Sequence, residues 1–176
     1  VLGREADISG GKVTAMLNQL YSRQEKFIVV EVEVPAGRPG QKLQIAAVDV
    51  SYGNMATKKN DSLAGSAGVS FTQLAKTVKA NQDKKVMASA VRMVANEMNK
   101  KALELRDKGQ VKQAQKLLQR NYKELNTYAN DLDDESLLKD AKFNRIQSEQ
   151  VAGKNWNKTR KSMRKMQYEY DMQQSY

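Results

Sequence analysis

Hydrophobic and polar residues alternate with a period of two through the first part of the chain, up to about residue 72. In the run KFIVVEVEVP, residues 26–35, every second residue is apolar: Ile28, Val30, Val32 and Val34. A strand with one face on a core and the other in water shows this pattern. Weaker alternation over 12–17 and 43–50, and a small-residue segment over 62–71, predict three more strands. Four strands joined by turns rather than helices predict an antiparallel sheet.

From about Asn81 the hydrophobic period changes to 3.6, which is typical of amphipathic helices. The first predicted helix runs from an N-cap at Asn81 to a stop at Gly109. Its expected apolar stripe is Val86, Ala90, Met93, Val94, Glu97, Met98 and Leu105. A second helix over Val111–Asn130 follows so closely that only an antiparallel hairpin fits. Acidic residues at 133–135 predict the first turn of a third helix, and a basic helix is expected over Asn155–Gln173.

The two periods together predict an α+β protein. We expect an antiparallel β-sandwich domain at residues 8–75, followed by an α-helical hairpin or bundle at residues 80–176. The residues expected in the two cores are Ile28, Val30, Val32, Val34, Ile45, Leu117, Leu118 and Leu125. Because a sheet and a helix each bury one apolar face, we expect the two parts to pack on each other or on a partner.

Composition narrows the classes of function. The chain has 176 residues and contains neither histidine nor cysteine. Those absences remove the commonest general base, the commonest metal ligand and the thiol nucleophile. We therefore predict a non-enzymatic protein with no catalytic residue, no cofactor and no small-molecule substrate. Because the chain begins at Val1 without methionine, we also expect a fragment or a processed form.

Charge divides along the same boundary as the hydrophobic period. The first 75 residues contain eight Lys or Arg and seven Asp or Glu, and are nearly neutral. The remaining 101 residues hold 22 basic and 13 acidic side chains, a net charge of +9. The basicity of the protein therefore belongs to its predicted helices.

Two motifs resemble the region that follows the von Willebrand factor A domain in bacterial and eukaryotic A-domain proteins, including relatives of the inter-α-trypsin inhibitor heavy chains. One is the run LNQLYSRQEKFIVVEVEVP, Leu17–Pro35, followed after a glycine-rich turn by the strand Leu43–Tyr52. The other is G-x-x-x-x-A-x-x-L-L, matched by Gly109, Ala114, Leu117 and Leu118.

The resemblance covers residues 8–130 and implies a small β-sandwich followed by helices. It also implies a role in adhesion or complex assembly, with protein partners that include an upstream A domain of the same chain. An extracytoplasmic or cell-surface location goes with that role.

A D-x-S-x-G sequence at Asp49–Gly53 is one residue short of the D-x-S-x-S that opens the metal site of an A domain. In an A domain that motif precedes a helix, whereas here the turn-like segment ATKKNDSLAGSAG follows. One carboxylate and one hydroxyl are fewer than the roughly six oxygens that Mg²⁺ or Ca²⁺ takes. We therefore predict that Asp49 is not a metal ligand and that the chain holds no metal site.

The basic stretch KNWNKTRKSMRKMQ, residues 154–167, carries the alternative function. Interleaved basic and aromatic residues bind phosphates and stack bases, so nucleic-acid binding is one hypothesis. Its candidate residues are Lys154, Trp156, Lys158, Arg160, Lys161, Arg164 and Lys165. Binding to an anionic membrane is a second hypothesis. In the competing interpretation Trp156, Met163, Met166 and Tyr170 form the inner stripe of a packed helix, with the charges in solvent.

Overall fold

The computed structural model describes residues 1–173, so the last three residues of the predicted 80–176 domain lie outside it. The fold is α+β, as predicted. In chain order its elements are β1 (Asp7–Ser9), β2 (Lys12–Thr14), β3 (Lys42–Asn54), β4 (Lys59–Ser70), α1 (Ala75–Ala80), α2 (Lys84–Asp107), α3 (Val111–Leu132), α4 (Glu135–Gln150) and α5 (Trp156–Met172). One compact unit contains Val1–Glu31 and the chain from Asp83 onward, and a second contains Val32–Gln82.

The second unit is built on a long antiparallel hairpin of β3 and β4. The register pairs Lys42 with Ser70 at the base, and a bulge at Ile45 shifts it by one residue. At the far end Asn54 starts the turn, because its side-chain oxygen accepts from the backbone N–H of Ala56 at 3.0 Å. Short polar side chains favour turns through such local hydrogen bonds.

The antiparallel β-sandwich predicted for residues 8–75 is seen only in part: the strands are antiparallel, but β1–β2 and β3–β4 are separate two-stranded sheets and not a clear closed sandwich. The predicted strand over 26–35 makes one isolated bridge, between Val29 and Leu2. Its expected inner residues are on the wrong side: Ile28, Val30 and Val32 are exposed, while Phe27 and Val29 are half-buried. Alternation of apolar and polar residues identifies an extended segment, but which of its two faces is buried depends on the residues it packs against.

The helix ends follow local capping chemistry. The carboxylate of Asp83 accepts from the Val86 N–H at 3.0 Å and starts α2, so the expected cap at Asn81 is wrong. Gly109 follows α2 with a φ of +79°, a left-handed conformation that glycine adopts without strain. Asp134 caps α4 by accepting from the Leu137 N–H at 2.8 Å. The sequence therefore predicts the end of α2 and the start of α4 correctly, whereas α2 starts later than expected.

The hydrophobic core of the described residues lies in helices α2 to α5 and in the turn after α4, which supplies Val151. One cluster, the first cluster, joins α2, α3 and α4 through Ala88, Ala95, Leu125, Ala129, Leu132, Leu137 and Ala141. The second cluster adds α5 and consists of Ala102, Leu103, Ala114, Leu118, Val151 and Met163. The predicted core residues Leu118 and Leu125 are fully buried, and Leu117 packs against the second cluster. None of residues 1–87 is buried.

A layer of buried asparagines separates the two clusters. The layer contains Asn99 on α2, Asn121 on α3 and Asn144 on α4, and along the chain each lies between a residue of the first cluster and a residue of the second. The Asn121 amide nitrogen lies 2.8 Å from the Asn99 side-chain oxygen and 3.1 Å from that of Asn144. Because these groups are satisfied by one another, they favour a single axial alignment of the three helices.

Three alanines lie on the buried side of α2 together with Leu103 and with Met93, which was expected there. Val86 and Val94, expected on the inner side, are exposed. Ala88, Ala95 and Ala102 are buried instead, seven residues apart. Small side chains at this spacing allow neighbouring helices to approach closely. The prediction placed the valines on the inner side because a hydrophobic pattern gives valine more weight than alanine.

Candidate interaction surfaces

The β3–β4 hairpin presents an exposed apolar face. Residues paired directly across an antiparallel sheet point to the same side, which places the Val50–Leu63 pair beside Val48 and Tyr52. Their exposed fractions are 49% for Val48, 39% for Val50, 43% for Tyr52 and 62% for Leu63. We call these four residues the hairpin face. Asp61 and Gly65, the partners of Tyr52 and Val48, point to the same side, so the apolar face runs along β3 from Val48 to Tyr52 with Leu63 beside it on β4. These four residues are neighbours, unlike the scattered apolar residues found on most surfaces.

Small and polar residues occupy the opposite side of the hairpin. Asp49 lies there in the middle of β3, directly opposite Ala64, and the next pair is Ser51 with Ser62. The motif that begins at Asp49 is thus part of a strand rather than a loop before a helix. Among residues 1–173 the acidic side chains form no group of three that could hold a metal ion.

The base of the hairpin is closed by the loop before β3. The Gly40 N–H donates to the Phe71 carbonyl at 2.8 Å, and the Phe71 N–H donates to the Gln41 carbonyl at 2.9 Å. The Phe71 ring lies over Gly37, where a Cβ would come within 2.5 Å of two ring carbons. Only glycine permits this approach, so the turn PAGRPGQ is shaped to hold an aromatic ring.

The N-terminal segment is fastened to the end of α5. The Gln173 side-chain amide donates to the Phe27 carbonyl and accepts from the Phe27 N–H, both at 2.7 Å. Arg4 reaches the Asp171 carbonyl at 3.5 Å. On α2, Lys85 pairs with Glu25 at 2.6 Å, and this hydrogen bond raises the pKa of the Lys85 ammonium. The predicted strand over 26–35 therefore begins by binding a helix end rather than a sheet.

Two carboxylates on α4 and α5 hold the helices together. Asp140 accepts from Arg92 at 2.9 Å and from the Tyr170 hydroxyl. Burial, and then the Asp140 carboxylate, raises the pKa of Tyr170 well above its ordinary value, so the phenol stays protonated and donates. Asp171 accepts from Asn96 and from Lys100, both at 2.9 Å.

Lys100 is the cation that pairs with Asp171. Burial acts to lower its pKa, but hydrogen bonds to Glu97 and Asp171 outweigh burial and raise it. Both carboxylates thus make ion pairs and hydrogen bonds that join α5 to α2 or α4.

Three of the seven residues proposed for nucleic-acid binding have structural contacts. Trp156 packs against the second cluster, and the Arg106 guanidinium lies 5.0 Å from its ring centroid. Arg160 donates twice to Asp107, at 3.0 and 2.7 Å. Arg164 lies 4.0 Å from the same carboxylate. The tryptophan expected to stack a base is therefore covered on one face and is half-buried.

The other four proposed residues are exposed lysines. Lys165 lies 3.7 Å from Glu169. Lys154, Lys158 and Lys161 make no ion pair with a carboxylate anywhere in residues 1–173. The structure thus divides the basic stretch into an inner half that holds α5 in place and an outer half in solvent.

Sequence reasoning missed the exposed aromatic of α5. Tyr168 is 55% exposed, and helical spacing from Lys161 and Lys165 would have placed it on the outer side of the helix. It also missed the asparagine layer, because a hydrophobic pattern gives no weight to asparagines at inner positions of a helix. In both cases the sequence contained the signal that was needed.

No helix within residues 1–173 has the length and apolar character needed to cross a bilayer. A scan of the chain against protein-family models, a search of curated proteins and a search of solved structures each found no match.

Proposed function

We propose that the chain is a non-enzymatic protein-interaction module that accompanies a von Willebrand factor A domain in adhesion or complex assembly. The observation that carries the proposal is the hairpin face, because it is a continuous apolar surface on a sheet of only two strands. An isolated two-stranded hairpin is at best marginally stable in water. A hairpin with 12 paired positions and one apolar side is stabilised when a second layer covers that side.

The size of the hairpin face favours a partner in the same polypeptide. Four partly exposed side chains form a patch no larger than the largest apolar patch on a typical monomer, which is about 300–600 Å². A standard interface between separate proteins buries about 800 Å² on each side. At about 25 cal/mol/Å², this patch contributes on the order of 9 kcal/mol, which is close to the cost of free association. A tethered domain avoids most of that cost, since its effective concentration is on the order of millimolar.

The partner we propose is therefore the upstream A domain together with strands that adjoin it. Those strands would supply the second layer of the β-sandwich expected for residues 8–75, with β3–β4 as the first layer. The motif over Leu17–Pro35 supports this arrangement, since its alternating residues Ile28, Val30 and Val32 are exposed in the same way as the hairpin face.

Binding between the chain and the separately expressed domain encoded upstream of Val1 tests the proposal. Leu63→Asp places a charge on the hairpin face, and Ser62→Asp places the same charge on the opposite side of the same strand. We expect Leu63→Asp to weaken binding at least tenfold and Ser62→Asp to change it less than twofold. An upstream sequence without D-x-S-x-S, or equal effects of the two variants, contradicts the proposal.

A further inference from the structure

The outer side of α5 carries a row of lysines that ends in an aromatic residue. Lys158, Lys161 and Lys165 are three and four residues apart, so they lie on one side of the helix. Tyr168 follows Lys165 by three residues and joins the same side. All four side chains are exposed. We call these four residues the lysine face.

The charge on this face is largely uncompensated. Residues 154–168 contain six basic side chains and no acidic one. Asp107 offsets the charge of Arg160 at 2.7 Å and lies 4.0 Å from Arg164, and Glu169 lies 3.7 Å from Lys165. The potential outside Lys158 and Lys161 is therefore positive, and it attracts a polyanion.

A membrane surface fits this face poorly. An interfacial helix buries its apolar side in lipid, but the apolar side of α5 is already used, since Thr159 and Met163 are buried in the protein. The lysine face offers charge and one phenol ring. Single-stranded nucleic acid fits both features, because phosphates bind lysines and an unpaired base stacks on an exposed aromatic ring.

We propose that the lysine face binds single-stranded nucleic acid, with Lys158, Lys161 and Lys165 on successive phosphates and Tyr168 stacking a base. The row is about 15 Å long at 1.5 Å per residue, long enough to contact a short run of successive phosphates on a single strand. Tyr168 takes the role that the sequence suggests for Trp156. This activity is independent of the hairpin face and of any A domain.

The experiment measures the anisotropy of labelled dT12 and U12 with the whole chain between 20 and 200 mM NaCl. Three or four phosphate contacts predict that log K falls against log salt with a slope of about −2 to −3. Replacing Lys158, Lys161 and Lys165 with Gln should weaken the salt dependence, so that the slope lies between about −1 and zero. Tyr168→Ala should weaken binding about 5- to 100-fold, while Tyr168→Phe should retain it. Far-UV circular dichroism checks that each variant is folded.

A matched control removes the same charge elsewhere. Lys112, Lys116 and Lys123 are exposed and share one side of α3, and their replacement by Gln should change the affinity less than twofold. Four results overturn the proposal: no binding at 20 mM salt, equal loss in the two triple variants, no effect of Tyr168→Ala, or stronger binding to polyglutamate or to anionic vesicles at the same salt.

Discussion

Replacing Asn121 with alanine tests whether the buried asparagine layer stabilises the helical bundle. The Asn121 amide nitrogen lies within 3.1 Å of three acceptors, the side-chain oxygens of Asn99 and Asn144 and the carbonyl of Ala95. Without the amide, the two side-chain oxygens stay buried and lose this donor. Each buried polar group left unpaired costs about 1–3 kcal/mol.

The net effect is smaller than the sum of the lost hydrogen bonds, because alanine favours a helix over asparagine by about 0.6 kcal/mol. We expect a loss of about 3 kcal/mol in the free energy of unfolding. With a urea dependence of about 1.5 kcal/mol/M, the midpoint falls by about 2 M. The fold should persist, since domains of this size are stable by about 5–15 kcal/mol.

Urea unfolding measured by far-UV circular dichroism and by fluorescence of Trp156, the sole tryptophan, gives the two free energies. Asn130→Ala is the matched control, because Asn130 is exposed on the same helix and the substitution is identical. We expect it to change stability by no more than about 0.5 kcal/mol. Asn121→Leu fills the volume but supplies no donor, so it should also destabilise. A loss below about 1 kcal/mol for Asn121→Ala relative to the control would refute the reasoning.

Three further predictions concern the core, a helix cap and the hairpin base. Leu118→Ala should cost about 2.7–5 kcal/mol in urea unfolding, because Leu118 is fully buried in the second cluster. Hydrogen bonds from the Ser136 hydroxyl and the Leu137 N–H lower the pKa of Asp134 below 3.8. The stabilisation by the Asp134 carboxylate is therefore complete above pH 3.8 and is lost as the pH falls through the lower pKa of the folded state. Asp134→Asn should remove this contribution to the pH dependence of stability. Gly37→Ala should displace the Phe71 ring, and exchange of the Phe71 amide hydrogen should quicken at least tenfold while α3 is unchanged.

The helices were predictable because their signals are local. Hydrophobic spacing, the acidic first turn of α4 and Gly109 located α2 to α5 within a few residues of their observed ends. The inner side of α2 was harder to predict, since it depends on how closely α3 approaches. Ala88, Ala95 and Ala102 are buried there because they are small, a property that a hydrophobic pattern weights lightly.

The β half was less predictable because strand pairing is not local. The alternation over 26–35 is strong, yet Phe27 and Val29 face the protein while Ile28 and Val30 face solvent. Pattern alone gives the period of a strand and leaves both its partner and its covered side undetermined. The same limit applies to α5. The pattern alone does not show that Trp156 lies against Arg106 while Tyr168 is exposed.

Hydrogen exchange at the amides of residues 42–70 tests the central claim most directly, which is that the hairpin face is a docking surface for another domain of the same polypeptide. In the chain alone, we expect these amides to exchange far faster than those of α3. Covalent linkage to the proposed upstream domain should slow their exchange at least 100-fold and leave α3 unchanged. Hairpin amides that are already as protected as α3 in the chain alone, or that gain no protection on linkage, would contradict the account.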